Sequence, residues 1–508
     1  MVRGSRQRVR HPVIPIPDWV AHRARTRPDD PALASAADDL ISYADFDLSI
    51  GRTAAALAAL GAEPGSPVAL LAGSGRDFAV LAHAIPRSGA ILMPLNTRLT
   101  TGELAYQLGD AGARLLLADA AQLDRARVAA ATIGARVIAI ESDLAGIDAV
   151  IEGAESIDPE AVHSLIYTSG TTGSPKGALL THGNFYWSAV ASGENLGVDP
   201  MDRWLACMPL FHVGGLSILT RSAIYGSTAV IHDGFDEVRV NQAIRHEEIT
   251  LLSVVAVMLR RMLDADDEPY PASMRAVLVG GGPVPVDLLI RARDRGLPVL
   301  QTYGLTETAS QVATLSAADA LRKPGSSGLP LLTTTIRIDS EGRAAEPGEI
   351  GEILVAGPTV TAGYLGHPEA TAEAICDGWL HTGDLGSLDD DGYLYIADRR
   401  DDLIVTGGEN VYPAEVEAAL TAHGAILEAA VVGLPDDRWG QLVAAVVVVE
   451  RSEVAPSPEA LAAQLRQQLA GYKVPRRIEF SSEVLPRTAS GKLQRHLVRA
   501  ALQLATAC

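Results

Sequence analysis

The chain has 508 residues, 47% hydrophobic and 20% charged, with a formal net charge of −20. That is too much chain for one core, so about three or four domains or subdomains are expected. The acidic balance argues against nonspecific affinity for nucleic acid or an anionic membrane, and it requires any anion to be held by local groups.

In chain order, residues 1–12 carry Arg3, Arg6, Arg8 and Arg10 with no apolar stretch behind them, which reads as a disordered leader and not as a secretory signal. A helix is expected over 18–25. Strands at 68–72, 90–94 and 114–118 then alternate with helices at 76–84 and 102–110. This βαβ rhythm implies an α/β fold with a mostly parallel sheet and helices on both faces. The GxGxxG dinucleotide fingerprint is missing.

Residues 165–177 read LIYTSGTTGSPKG: an apolar strand emptying into Thr168, Ser169, Gly170, Thr171, Thr172, Gly173 and Ser174, with Lys176 at the end. Glycines let backbone N–H groups crowd an anion, hydroxyls donate further hydrogen bonds, and an ammonium adds a mobile charge. The matching ligand is a polyphosphate; a plain Ser/Thr/Gly linker is the alternative. The GxxxxGK[ST] spacing is absent, which disfavours a kinase-type or motor-type NTPase.

Further strands are expected at 250–257 and 276–279, the second running into Gly280, Gly281, Gly282 and Pro283. Glycines beyond a strand's carboxyl end permit close approach to a flat ring, and they equally suit a tight turn. Residues 299–308, VLQTYGLTET, then offer an aromatic face at Tyr303, a hydroxyl at Thr306 and a carboxylate at Glu307. Glu307 suits the hard Mg²⁺ ion, and alone would serve as an ordinary helix-start carboxylate.

From 325 to 395 short apolar pieces separated by turns imply a small β-rich subdomain containing WLHTGDL (379–385). Asp384 there can accept from both hydroxyls of a ribose, or act as a turn residue. The charge cluster 398–402 marks a boundary before a compact α+β unit. In it a helix is expected at 413–420, strands at 429–432 and 442–449, a helix capped by Ser457 and carrying Leu461, Leu465 and Leu469, and a Gly-rich turn at 485–495 presenting Lys492. The run 442–449 is far short of the ~18 residues of a membrane span, and none is expected.

Cys207, Cys376 and Cys508 lack metal-ligand spacing, which fits a reduced, cytoplasmic compartment. Of 42 Lys plus Arg only Lys176, Lys323, Lys473 and Lys492 are lysines. A compact, rotatable charge has thus been kept at a few places, two of them inside the strongest motifs.

Five stretches in this order, YTSGTTGSPKG, PLFHVGG (209–215), QTYGLTET, HTGDL with DRRDDLIVTGGEN, and PRTASGK, resemble the adenylate-forming acyl-CoA synthetases. The resemblance covers nearly the whole chain. It implies a large N-terminal domain (13–400) of two α/β subdomains plus the β-rich subdomain (about 326–397), and a small mobile α+β C-terminal domain (401–508). It also implies ATP, Mg²⁺ and coenzyme A as reactants with a small-molecule carboxylic acid. Acyl-AMP forms first, and the CoA thiol then displaces AMP.

By the same resemblance, Thr168, Ser169, Gly170, Thr171, Thr172, Gly173 and Lys176 hold the β and γ phosphates, and Glu307 helps hold Mg²⁺. Gly281, Gly282 and Tyr303 enclose the adenine, Thr302, Gly304 and Thr306 are further nucleotide-binding candidates, and Asp384 and Arg399 lie on the ribose. Lys492 meets the carboxylate and α-phosphate. Rotation about a hinge at Asp401 withdraws Lys492 and brings the TGGEN turn, with Gly407 and Gly408, to the pantetheine tunnel. Lys473 is a candidate for a CoA phosphate, or a solvated surface lysine. His212 gates the acyl pocket, or is a core histidine.

Residues 203–231, with TASQVATLS, LRKPGSSGLPL and DRRDDLI, look more particularly like the 2-succinylbenzoate-CoA ligases of menaquinone synthesis. Asp401 departs from the Ser expected there. The substrate's second carboxylate needs a cation, and Arg221 is the candidate, with a structural Arg as the even alternative. A fatty or aryl acid as substrate, and an adenylation module loading a carrier protein, remain the competing readings. No nucleic-acid partner is implied, and homo-oligomerisation is left open.

Overall fold

The structure, a computed structural model, describes residues 15–504 apart from 36–38, 147, 169–174, 283, 400–403, 407–408, 412, 437–438, 450–455, 470, 489–490 and 492. Three sheets organise the described chain.

The first has six strands, in the order Arg136–Ala139, Leu115–Ala118, Pro67–Leu71, Ile91–Pro94, Val162–Thr168, Lys176–Thr181. All pairs are parallel except the last, in which Val162–Thr168 and Lys176–Thr181 run antiparallel. Leu115–Ala118 is apolar and buried at every position, as a parallel strand covered on both faces requires. Local chemistry fixes the helices between strands. Thr100 and Glu103 form a reciprocal capping box on Thr101–Asp110, and Gly61, in the left-handed region, stops Tyr43–Leu60.

The second sheet has fifteen strands. Its parallel part runs Val299–Leu305, Ala276–Gly280, Leu251–Val255, Arg203–Ala206, Thr228–Ile231, Pro31–Ala34. The early strand Pro31–Ala34 therefore joins a sheet built nearly two hundred residues later, an arrangement the linear βαβ reading did not contain. Beyond Val299–Leu305 the sheet turns antiparallel through Ser310–Leu315 and Ser326–Pro330 into the β-rich region. That region is hydrogen-bonded continuously to the α/β part.

Helices His182–Leu196 and Val213–Tyr225 lie in a core shared by the two sheets, with Tyr43, Phe78, Phe185 and Trp204 buried in it. The ends of Val162–Thr168, Ala276–Gly280 and Val299–Leu305 carry the motifs singled out above, the carboxyl-end location where open α/β sheets bind ligands.

A five-stranded sheet forms the C-terminal unit, whose cores centre on Val416, Val431 and Val447 and on Val432, Val498 and Leu502.

Three expectations need correction. The strand expected at 250–257 ends at Val255, because Ala256–Ala265 is a helix. Leu469 lies past the end of Pro458–Leu465, although Ser457 caps that helix as expected. Asp384 is inside the strand Trp379–Leu388 and is not a turn residue. Among the described residues no helix is long and apolar enough to cross a membrane.

Candidate active site

Thr168 closes the strand Val162–Thr168, and Lys176 opens the strand that returns beside it; the two are register partners across the hairpin. The phosphate-loop candidates Ser169, Gly170, Thr171, Thr172 and Gly173 lie outside the described residues.

Glu307 sits in a single 3-10 turn, Thr306–Thr308, straight after Val299–Leu305. Its Oε1 accepts from the Thr168 hydroxyl at 3.2 Å and from the Tyr364 hydroxyl at 3.0 Å. The turn is held tightly. Thr361 N–H donates to the Glu307 carbonyl, and Ala309 and Ser310 both adopt positive φ. Gly304 is required here, because a Cβ would run into the Ser310 carbonyl oxygen.

The carboxylate of Asp384, 4% exposed, accepts from the Tyr303 hydroxyl at 2.8 Å. Arg399 is its register partner on the neighbouring strand, but the Arg399 side chain lies outside the description. Thr302 donates its hydroxyl to the Ala313 carbonyl at 3.0 Å.

Gly281 and Gly491 come from different domains, yet both abut Val255: an added Cβ on either would lie 3.3 Å from a Val255 methyl. The turn carrying Lys492 thus reaches the end of Leu251–Val255 beside the Gly280, Gly281 and Gly282 run. Lys492 itself, the hinge candidate Asp401, and Gly407 and Gly408 are outside the described residues. Lys473 lies in the turn between Pro458–Leu465 and Arg477–Ser481.

His212 is the N-cap residue of Val213–Tyr225. Burial, helped by the charge of Arg98, brings its imidazole down to about 4, so it is neutral at pH 7, and among the described residues its buried Nε2 has no hydrogen-bond partner. Arg221, two turns further along, is 3% exposed. It donates to Ser188 Oγ at 3.0 Å, Ser188 donates to the Ala309 carbonyl at 2.8 Å, and the guanidinium lies 5.8 Å from the Trp204 ring. Burial lowers its pKa, but an Arg stays charged, and among the described residues no carboxylate neutralises it. Its Nε and the nearby Ser217 hydroxyl are buried, with no hydrogen-bond partner among the described residues.

Sequence reasoning missed Tyr364 and Ser188. Both work through contacts more than fifty residues away, and neither belongs to a run whose composition announces chemistry.

The donor set suits Mg²⁺. Among the described residues no group of three His, Cys, Asp or Glu forms a ready cage, while a single carboxylate, Glu307, bonded to the Thr168 hydroxyl, fits an ion that keeps its waters and binds mainly through substrate phosphates.

The AMP-binding enzyme family matches residues 20–365, and the AMP-binding enzyme C-terminal domain matches 415–492. A 2-succinylbenzoate–CoA ligase of Geobacillus kaustophilus is 45% identical over 484 residues, covering 94% of this chain and 96% of the relative. Among solved structures, the o-succinylbenzoate CoA synthetase of Bacillus subtilis in complex with the acyl-adenylate OSB-AMP superposes with a TM-score of 0.89 at 40% identity, covering 95% of this chain and 98% of that one. A double mutant of that synthetase bound with a product analogue, OSB-NCoA, has the same identity and coverage but a TM-score of 0.74. The overall shape therefore follows the adenylate complex more closely, in keeping with Gly491 packed on Val255. With two family domains matched in order along a chain similar over nearly its full length to these ligases, the protein belongs to the AMP-binding enzyme family.

Proposed function

We propose that the protein is an ATP-dependent carboxylate–CoA ligase that converts 2-succinylbenzoate to its CoA thioester through an acyl-adenylate. The observation carrying this reading is the 45% identity with a 2-succinylbenzoate–CoA ligase along 94% of the chain. The hydrogen bonds that link Thr168 to Glu307 and Tyr303 to Asp384, with Lys176 as register partner of Thr168, support it.

In the first half-reaction a carboxylate oxygen attacks the α-phosphorus of ATP, and the bond to the β-phosphate oxygen breaks as pyrophosphate leaves. Two anions must meet, so positive charge is needed where the bond forms and where the leaving group departs. Lys492 serves the first place; Lys176, with Thr168, Ser169, Gly170, Thr171, Thr172 and Gly173, serves the second. Glu307 would help hold Mg²⁺, which would further neutralise the phosphate oxygens. Asp384 and Arg399 take the ribose, Gly281, Gly282 and Tyr303 enclose the adenine, and Thr302, Gly304 and Thr306 contribute to the rest of the nucleotide site.

In the second half-reaction the CoA sulfur attacks the acyl carbon, the bond to AMP breaks, and the thiol proton passes to solvent. Rotation at Asp401 removes Lys492 and admits Gly407 and Gly408, with Lys473 near a CoA phosphate. His212, neutral, lines the acid pocket with Gly281, and Arg221 holds the substrate's second carboxylate.

The test is CoA-thioester formation over a panel of acids. Turnover of 2-succinylbenzoate well above fatty and simple aryl acids is expected. Strong turnover of fatty acids with none of 2-succinylbenzoate would overturn the substrate assignment.

A further inference from the structure

Tyr364 touches both charges that the proposed reaction needs beside the polyphosphate. Its hydroxyl donates to Glu307 Oε1 at 3.0 Å, and the Lys176 ammonium lies 5.8 Å from the centre of its ring. That separation is within the range at which a cation is attracted by an aromatic face. Thr168 donates to the same Oε1, and among the described residues no hydrogen bond reaches Oε2. Two hydroxyls thus fix one oxygen of the carboxylate.

The ring is set by its backbone. Residues 361–365 lie against the strand Lys176–Thr181: Ala362 N–H donates to the Leu179 carbonyl at 3.0 Å, Leu179 N–H to the Gly363 carbonyl at 2.8 Å, and Leu365 N–H to the Gly177 carbonyl at 3.0 Å. Tyr364 N–H donates to Thr371 Oγ1 at 2.9 Å. The segment is therefore pinned to the same strand that carries Lys176. Thr361 N–H also holds the Glu307 carbonyl at 2.8 Å.

Lys176 and Glu307 both contact Tyr364, yet they form no ion pair with each other or with any described residue. A direct pair would silence both, because the ammonium would no longer be available to phosphate nor the carboxylate to a cation. An aromatic ring with a hydroxyl at its tip meets both demands: the face attracts the ammonium and the hydroxyl donates to the carboxylate.

We propose that Tyr364 is a positioning residue of the adenylation half-reaction, its hydroxyl orienting Glu307 with Oε2 toward the divalent cation and its ring keeping Lys176 off that carboxylate until polyphosphate takes the ammonium. This rests on the roles given above to Glu307 and Lys176.

The experiment titrates Mn²⁺ in place of Mg²⁺ into the full chain with ATP and without acid, following free Mn²⁺ by electron paramagnetic resonance, and separately measures the KM for ATP with acid and CoA present. Tyr364→Phe keeps the ring and loses the hydroxyl. It is expected to weaken Mn²⁺ binding roughly tenfold, with the KM for ATP at saturating metal changed less than about twofold. Tyr364→Leu loses both functions, and is expected to add a roughly tenfold rise in the KM for ATP as Lys176 pairs with Glu307. Wild-type Mn²⁺ affinity in Tyr364→Phe overturns the orienting role. Equal KM values for ATP in the Phe and Leu variants overturn the role of the ring. Glu307→Gln is the reference: if it leaves Mn²⁺ affinity unchanged, the assignment of Glu307 itself fails. If it weakens binding while Tyr364→Phe does not, the proposal alone fails. Tyr364→Phe retains the packed ring, so the hydroxyl arm can be read even if the Leu variant does not fold.

Discussion

Tyr303 and Asp384, on strands of two different regions, are joined by a 2.8 Å hydrogen bond from the Tyr hydroxyl to Oδ2 of the Asp. The aromatic residue proposed for the adenine face thereby orients the carboxylate proposed for the ribose, and that carboxylate is nearly buried. A donor on Oδ2 fixes the plane of the carboxylate that would meet the ribose hydroxyls.

This arrangement makes the enzyme sensitive to the sugar. The wild type is expected to use 2′-deoxy-ATP about tenfold to a hundredfold less well than ATP, because a buried acceptor loses its donor. Asp384→Asn should lower kcat/KM for ATP and flatten that preference. Steady-state kinetics with both nucleotides check this, and an undiminished preference in the variant would remove Asp384 from the ribose.

Much of this site was legible in the sequence because its signals are local. Gly-rich turns after apolar strands, as at 276–282 and 299–307, announce themselves by composition, and Leu115–Ala118 reads as a strand from its unbroken apolar run. The end of Leu251–Val255 was misjudged because Ala256–Ala265 starts without a side-chain cap, so the apolar run continues across the boundary. Tyr364 and Ser188 were invisible for another reason. Their roles come from long-range contacts with Glu307 and Ala309, and no periodicity encodes such contacts. Pro31–Ala34 pairing with Thr228–Ile231 is the same limitation at the level of topology.

Arg221 gives a sharper test of substrate choice. A buried guanidinium with no carboxylate partner among the described residues is electrostatically incomplete, and an aryl carboxylate would complete it. Arg221→Met should raise the KM for 2-succinylbenzoate about a hundredfold while changing little for 4-oxo-4-phenylbutanoate, which lacks the second carboxylate. Equal losses on the two acids would mean that Arg221 serves only to hold Ser188 and the Ala309 turn. Melting temperatures of the variant would accompany the kinetics.

A buried histidine group sets the acid limit of stability. His163 stacks on Trp19 at 5.6 Å between ring centroids and meets His182 edge-on at 4.8 Å; His83 packs against Phe46 at 5.5 Å. Burial brings His83 and His182 down to about 4 and His163 well below its ordinary value, although Asp18 opposes this for His83 and His182. All three are neutral in the fold, whereas in the unfolded chain they take up protons near 6.5, so the unfolded state binds more protons below that pH. Stability is therefore intact above about pH 6.5 and falls as pH drops from there toward 4, by up to about 1.4 kcal/mol per pH unit for each histidine. Urea unfolding at pH 7.5 and 5.5 should show this loss, and His182→Gln should reduce the pH slope by about one proton's worth. An unchanged slope would show that these histidines do not control it.

Gly491 offers a way to separate the two half-reactions without touching a reacting group. It has φ +85°, where a side chain is strained, and an added Cβ would lie 3.3 Å from Val255. Gly491→Ala therefore penalises the packed position of the Lys492 turn in two ways, through the backbone and through the contact. Adenylation requires that position in the proposed mechanism, while transfer to CoA requires its withdrawal. The variant is expected to slow ATP–pyrophosphate exchange roughly tenfold. Thioester formation from preformed acyl-adenylate should be unaffected or faster, since the state that must be left has been destabilised. Lys492→Ala should show the same asymmetry more strongly, with exchange reduced by about a thousandfold because the charge itself is gone. Equal damage to both half-reactions in the two variants would mean that the turn does not alternate between them. Loss confined to the second step would place Lys492 on the wrong side of the cycle.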